Sequence, residues 1–216
     1  MELTIREPGS AITHFIGMLL AVFASIPLLL KASAASNVRC CIALGIFMGS
    51  MILLYGASAI YHSVTVSAQK LKIFRKVDHM MIFILIAGSY TPVCLIVLGG
   101  RLGNTLLAVV WGISIAGILI KAIWITCPKW FSSAIYIALG WACLAVFGPL
   151  LHTLSHAAFL WLLAGGIIYT VGGVIYALKL PIFNARHKYF GSHEIFHLFV
   201  MAGSFCHFIF MYQYVA

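Results

Sequence analysis

"GSHEIFHLFVMAGSFCHFIFMYQYVA", residues Gly191 to Ala216, decides how this chain is read. From Ile195 onward it carries no Lys, Arg, Asp or Glu. At about 1.5 Å per helical residue, some 20 such residues cross a hydrocarbon core about 30 Å thick. The run nevertheless opens on His193, Glu194 and His197. Ionisable groups at the mouth of a membrane-spanning segment cost free energy and call for a function.

Composition says that the rest of the chain lives in the same solvent. Of 216 residues, 63% are hydrophobic and 8% are charged, against roughly a quarter charged in a soluble domain. Dividing the chain into apolar runs of bilayer length gives an all-α, polytopic membrane protein with seven transmembrane helices. The runs are Ala11 to Leu30, Cys40 to His62, Val77 to Gly99, Asn104 to Ile125, Phe131 to Leu151, His156 to Leu178 and Ser192 to Val215. The connections are too short for a folded soluble domain, and no acidic tail or charged linker divides the chain. A single membrane domain over residues 1–216 is the expectation.

The first run is followed by "KASAASN", which looks superficially like a signal-peptidase site. The run is longer than the roughly 7 to 15 residues of a signal-peptide core, and the leader "MELTIREPG" has more acid than base. It is therefore read as a genuine span.

The net charge of +9 does not point to nucleic acid, because the basic residues are spread over short breaks and are not interleaved with aromatics. They serve instead as topology signals. Arg6, Lys70, Lys72, Arg75, Lys76, Lys121, Lys129, Lys179, Arg186 and Lys188 fall on the side of the N-terminus, and Lys31, Arg39 and Arg101 on the other. The positive-inside rule predicts a cytoplasmic N-terminus and an outer C-terminus, in a bacterial inner (plasma) membrane. The six cysteines, Cys40, Cys41, Cys94, Cys127, Cys143 and Cys206, form no C-x-x-C pair. They read as small hydrophobes, not as disulfides or thiolate ligands.

With that topology, three distant segments deliver polar groups to one layer. The second span ends on "YGASAIYHS" with Ser58 and His62, the third begins on "FRKVDHMMIF" with Asp78 and His79, and the seventh begins with His193 and His197. Residues four apart share a helix face, so His193 and His197 form a pincer and Ser58 accompanies His62. Three imidazoles and an open fourth position describe a catalytic zinc site, with His62, His193 and His197 as ligands. Asp78 would accept a proton from a water activated there, and Ser58 would orient that water or the substrate's oxygen.

These residues resemble a known family. Ser58-x3-His62 in "SAIYH", Asp78 in "KVDHMMIFILIAGSYTP", His193-x3-His197 followed by His207 in "HEIFHLFVMAGSFCHF", and "SAITHFIG" at Ser10 to Gly17 look like the signature of the hemolysin III proteins. These are the bacterial branch of the progestin and adipoQ receptor family. The wider superfamily, which includes alkaline ceramidases, is taken to consist of membrane metal-dependent hydrolases. The resemblance therefore implies zinc held by His62, His193 and His197, with Asp78 binding the activated water and Ser58 beside it.

His193-Glu194-Ile195-Phe196-His197 is also formally H-E-x-x-H, the zinc-protease motif with Glu as general base. Against that reading, no carboxylate follows His197, and Val200 and Gly203 occupy the positions of the extended motif. An Asn-Pro-Asp-Gly segment is absent. Glu194 then reads as a first-turn acid favoured by the helix dipole.

Other histidines receive plainer roles. His207 lies ten residues past His197, about 15 Å along the helix, too far to share an ion. It reads as an interhelical hydrogen-bonding group. His79 points about 100° away from Asp78. His14 lies level with the site, either supporting it or packing at the interface. His152 and His156 fall at the outer end, and His187 between Arg186 and Lys188 reads as a headgroup contact. In "GGIIYTVGGVIYAL" the repeated glycines predict close helix approach, and Pro27, Pro92 and Pro149 predict kinks.

The expected function is hydrolysis of a lipid amide or ester, with membrane lipids and a lipid-like small molecule as partners and zinc as cofactor. Two other classes compete: a zinc-stabilised membrane sensor or homeostasis protein, and a pore-forming hemolysin. The second needs a polar lumen, for which the spans offer few residues.

Overall fold

The computed structural model describes residues 5–34, 37–178 and 189–216, the side chain of Lys129 apart. Among these residues, seven helical stretches are long and apolar enough to cross a membrane. They are built from α1 (Pro8–Ala34), α2 (Val38–Ser63), α3 (Ala68–Pro92), α4 (Gly100–Ile123), α5 (Lys129–Gly140), α6 (Phe147–Thr153), α7 (His156–Leu178) and α8 (Ser192–Phe210). No strand occurs among the described residues.

The distribution of polarity is inverted relative to a soluble bundle. Phe23, Leu30, Leu53 and Ile123 are exposed, while Ser58, His62, Asp78, Lys121 and His197 are buried. Apolar exterior and polar interior are what hydrocarbon as solvent selects. The chain is a multi-pass integral membrane protein. Lys179, Arg186, His187 and Lys188, read above as charges of the last connection, lie outside the described residues, as does Glu2.

Neighbours in sequence pack in space: α1 on α2, α2 on α3, α3 on α4 and α7 on α8, with α8 also against α1 and α5 against α7 and α3. The bundle core includes Phe47, Tyr55, Phe83 and Phe210. The glycine pattern of α7 faces α8, since a Cβ on Gly172 would lie 2.7 Å from Phe199 Cβ and one on Gly165 would overlap the His207 ring. Gly173 looks instead toward Ile137 of α5, and Gly166 onto open space.

Helices extend beyond the apolar runs. The third begins at Ala68, not Val77, because "AQKLKIFRK" continues the helix past its apolar stretch. Hydropathy marks where a helix is apolar, not where it starts. Asp78 consequently sits inside α3, three turns from its start. Beyond Pro92 the helix widens into a π turn, Val93–Leu98. Gly99 and Gly100, with φ of 60° and 51°, then reverse the chain into α4, a conformation that favours glycine.

The fifth span is interrupted by a 3-10 segment, Trp141–Val146, between α5 and α6. Tyr90 of α3 covers the break. Its hydroxyl donates to Gly140 O at 2.7 Å and accepts from Cys143 N at 2.8 Å. Backbone groups freed by a helix break inside a membrane need such partners.

Candidate metal centre

Four helix segments meet at the end of the bundle where the described chain begins. His62 lies in the last turn of α2, His193 and His197 in the first two turns of α8, and Thr13 and His14 in the second turn of α1. Asp78 approaches from α3.

The spacing read from the sequence brings His62, His193 and His197 together. One ring nitrogen from each lies within 4.8 Å of the others, a cluster able to hold a metal ion. His193 Nε2 is 3.3 Å from His62 Nε2. Two nitrogens bound at about 2.0–2.1 Å with a tetrahedral angle would lie about 3.3 Å apart, so this pair has the separation zinc requires. The His193 and His197 ring centroids are 4.5 Å apart, and those of His62 and His197 5.2 Å.

The other nitrogens of two rings are engaged in the way metal-binding imidazoles require. Glu7 accepts a hydrogen bond from His62 Nδ1. That contact, with Arg6 Nη2 3.1 Å from the same oxygen, holds the Glu7 carboxyl below its ordinary pKa. Thr13 Oγ1 lies 3.1 Å from His197 Nδ1 and donates its own proton to Ser10 O or Gly9 O, at 2.9 and 3.0 Å. With its single proton spent, the hydroxyl accepts from His197 Nδ1–H, and Nε2 keeps a lone pair. His62 and His197 are each 2% exposed.

Glu7 is fixed by the backbone as well. Its N–H donates to His62 O at 3.0 Å, Arg6 donates to Tyr61 O at 2.8 Å, and the Arg6 guanidinium lies 4.5 Å from the Tyr61 ring centroid. The segment before α1 thus clamps the end of α2. Glu194 faces elsewhere. Its carboxylate accepts from Ser10 Oγ and, at 2.8 Å, from Gly191 N–H, capping α8 and bracing it on α1.

Asp78 is buried, with Oδ2 3.4 Å from His79 Nδ1, and within electrostatic reach of His62 and His14. Asp78, Ser58, His14, His193 and His197 line one cavity of about 170 Å³ whose other walls are mainly apolar. His14 stacks on His197 with centroids 3.6 Å apart and ring planes 7° from parallel. Among the described residues, neither buried His14 nitrogen finds a hydrogen-bond partner.

The profile of the haemolysin-III-related family matches residues 3–208. The chain belongs to that family. It is 39% identical to Hemolysin-3 of Bacillus cereus over 199 residues, 92% of this chain and 87% of that one. Identity to the Hemolysin-3 homolog of Bacillus subtilis (strain 168) is 38% over 202 residues, covering 93% and 91%. A more distant relative of this haemolysin III protein is the adiponectin receptor protein of Drosophila melanogaster, 27% identical over 224 residues, 94% of this chain and 49% of that one.

Sequence reasoning missed Glu7 and Thr13. Both stand in "REPGSAITHFIG", where Glu7, Ser10, Thr13 and His14 fall about one helical turn apart on one face. That periodicity of polar residues at the mouth of an apolar run was the available signal. His79 lines the cavity and accepts at its backbone oxygen from Tyr136 Oη at 3.1 Å. His207 packs on Tyr169, with Nε2 3.4 Å from Leu162 O, the interhelical role expected. His152 and His156 are exposed at the opposite end.

Proposed function

We propose that this haemolysin III protein is a zinc-dependent membrane hydrolase that cleaves a lipid amide or ester. His62, His193 and His197 hold the metal, Asp78 is the proton acceptor and Ser58 orients water or the substrate carbonyl. When bound, zinc supplies Lewis acidity that polarises a carbonyl and acidifies water.

The observation that carries this reading is the tied-back pair of imidazoles beside a buried carboxylate on a mainly apolar cavity. Glu7 and Thr13 hold two rings with their remaining nitrogens converging. Asp78, near enough to feel His62, takes the proton of the attacking water and returns it to the departing amine or alcohol. Mainly apolar walls exclude bulk water and accommodate an acyl chain, while Ser58, Asp78, His193 and His197 supply polar groups to the same cavity for the scissile carbonyl. The basic residues support a cytoplasmic orientation for that end.

The test is metal content by elemental analysis of detergent-purified wild type, His62→Ala and His197→Ala. About one zinc per chain, lost in both variants, supports the site, and turnover of lipid amides or esters abolished by Asp78→Asn supports the reaction. Metal-free wild type purified without chelator, or variants that keep zinc, overturns it. Zinc retained without turnover favours a second reading, a zinc-braced sensor, for which the bracing of α1, α2 and α8 around the cluster is the supporting feature. Lysis of liposomes would favour the pore reading instead.

A further inference from the structure

Lys121, at the last turn of α4, is 3% exposed. The chain has four acidic residues, Glu2, Glu7, Asp78 and Glu194. Among the described residues, Glu7 engages Arg6 and His62, Asp78 pairs with His79, and Glu194 holds Ser10 and Gly191. None of these three described carboxylates reaches Lys121. Its ammonium is met by Cys127 Sγ at 3.0 Å and by Ser132 Oγ, and Cys127 Sγ lies 3.1 Å from Ser132 Oγ.

A buried cation is stable only beside an anion or several good acceptors. The group here that can become an anion is the thiol. Lys121, Cys127 and Ser132 all line the cavity, as do Ile82, Ile86, Ile125 and Ile137. Cys127 lies in the connection between the fourth and fifth spans, 7% exposed. Among the described residues, none of the other five cysteines has a Lys or Arg side chain as a hydrogen-bond partner.

We propose that Lys121, Cys127 and Ser132 form a second reactive site in this protein, at which the Cys127 sulfur is alkylated by apolar α,β-unsaturated carbonyl compounds entering the cavity from the lipid phase. The sulfur adds to the β-carbon, so that a C–S bond forms as the C=C π bond breaks. The electron pair moves onto the carbonyl oxygen, which takes a proton from the Lys121 ammonium. The proton that the thiol lost to water on becoming the thiolate returns to Lys121, and the enol tautomerises to the saturated carbonyl. No oxidant or leaving group is required. Ser132 holds the sulfur, and Lys121 supplies charge and proton.

The electrostatics agree with this geometry. Burial raises the Cys127 pKa, but hydrogen bonds from Ser132 and Lys121, with the charges of Lys121 and Arg75, bring it below the ordinary thiol value. The groups that face it are Lys121 from α4, Arg75 from α3, Ser132 and Tyr136 from α5 and Tyr176 from α7. A thiolate is the nucleophile in such additions, so a larger thiolate fraction at neutral pH is a faster reaction.

The experiment treats the detergent-purified full chain with trans-2-nonenal at pH 7 and maps adducts on the six cysteines by peptide mass spectrometry. Expected is alkylation at Cys127 about tenfold or more faster than at any other cysteine, reaching its plateau at lower pH than a cysteine peptide measured alongside. Lys121→Met slows Cys127 alkylation by about tenfold, Lys121→Arg, which keeps the charge but does not give up a proton, slows it less than Lys121→Met does, and Cys127→Ser removes the dominant adduct. The wild-type pH profile needs no variant and guards against a misfolded Lys121→Met. Faster labelling of another cysteine, a Cys127 profile matching the free peptide, or a folded Lys121→Met with unchanged rate would overturn the proposal. The zinc content of Cys127→Ser is expected to equal that of wild type, which separates this site from the metal centre.

Discussion

Glu7 accepts a hydrogen bond from Nδ1 of His62, joining the segment before the first helix to the last turn of the second. A carboxylate on the far nitrogen of a metal-binding histidine fixes the tautomer, orients the ring and makes the ligating nitrogen more basic. Glu7→Gln keeps the shape but removes the charge. Zinc affinity, measured by chelator competition, is expected to fall by about 10- to 100-fold while the thermal unfolding midpoint moves little. Unchanged affinity would mean that the contact braces the helix and does not tune a ligand.

Thr13 plays the corresponding part for His197 from the first helix. Thr13→Val keeps the volume and removes the acceptor, leaving His197 Nδ1–H buried without it. Zinc affinity is expected to drop by about tenfold or more, with recovery in Thr13→Ser, which restores the hydroxyl. Equal affinity in the Val and Ser variants would show that the hydroxyl contributes nothing to the ligand.

Seven spans and the three-histidine cluster were legible because each has a simple period. Bilayer thickness sets the length of apolar runs, and a spacing of four places His193 beside His197. Glu7 was not legible as a partner of His62, since 55 residues separate them and only packing of α1 on α2 brings them together. The break in the fifth span was hidden for a different reason. What satisfies it is a hydroxyl on another helix, Tyr90, that replaces the missing backbone partners. The six cysteines look alike in sequence, and only the folded chain distinguishes Cys127 by placing Lys121 against it.

Helix seven offers an internal comparison of two adjacent glycines. A Cβ at Gly165 would overlap the His207 ring, whereas one at Gly166 meets nothing within 4 Å. Gly165→Ala is expected to lower stability by about 1–3 kcal/mol, the usual range for overpacking, and Gly166→Ala to leave it unchanged or slightly raised. Tryptophan fluorescence during thermal unfolding in detergent distinguishes them. Equal midpoints would mean that α7 and α8 separate more easily than their contact implies.

Glu194 decides between two zinc chemistries that share one sequence motif. In an H-E-x-x-H protease the glutamate faces the metal as general base, and its amide variant retains metal but loses turnover. Here the carboxylate accepts from Ser10 Oγ and from the Gly191 N–H, so both oxygens are engaged away from the cluster. Glu194→Gln can still accept from Gly191, while its contact with Ser10 weakens because the acceptor is no longer charged. The expected result is full zinc content, a modest loss of stability of about 1 kcal/mol, and retention of whatever lipid hydrolysis the wild type shows. Asp78→Asn should do the reverse, leaving stability nearly unchanged and abolishing hydrolysis. If Glu194→Gln eliminates turnover and Asp78→Asn does not, the general base lies on α8 and the assignment of roles around the three histidines must be exchanged.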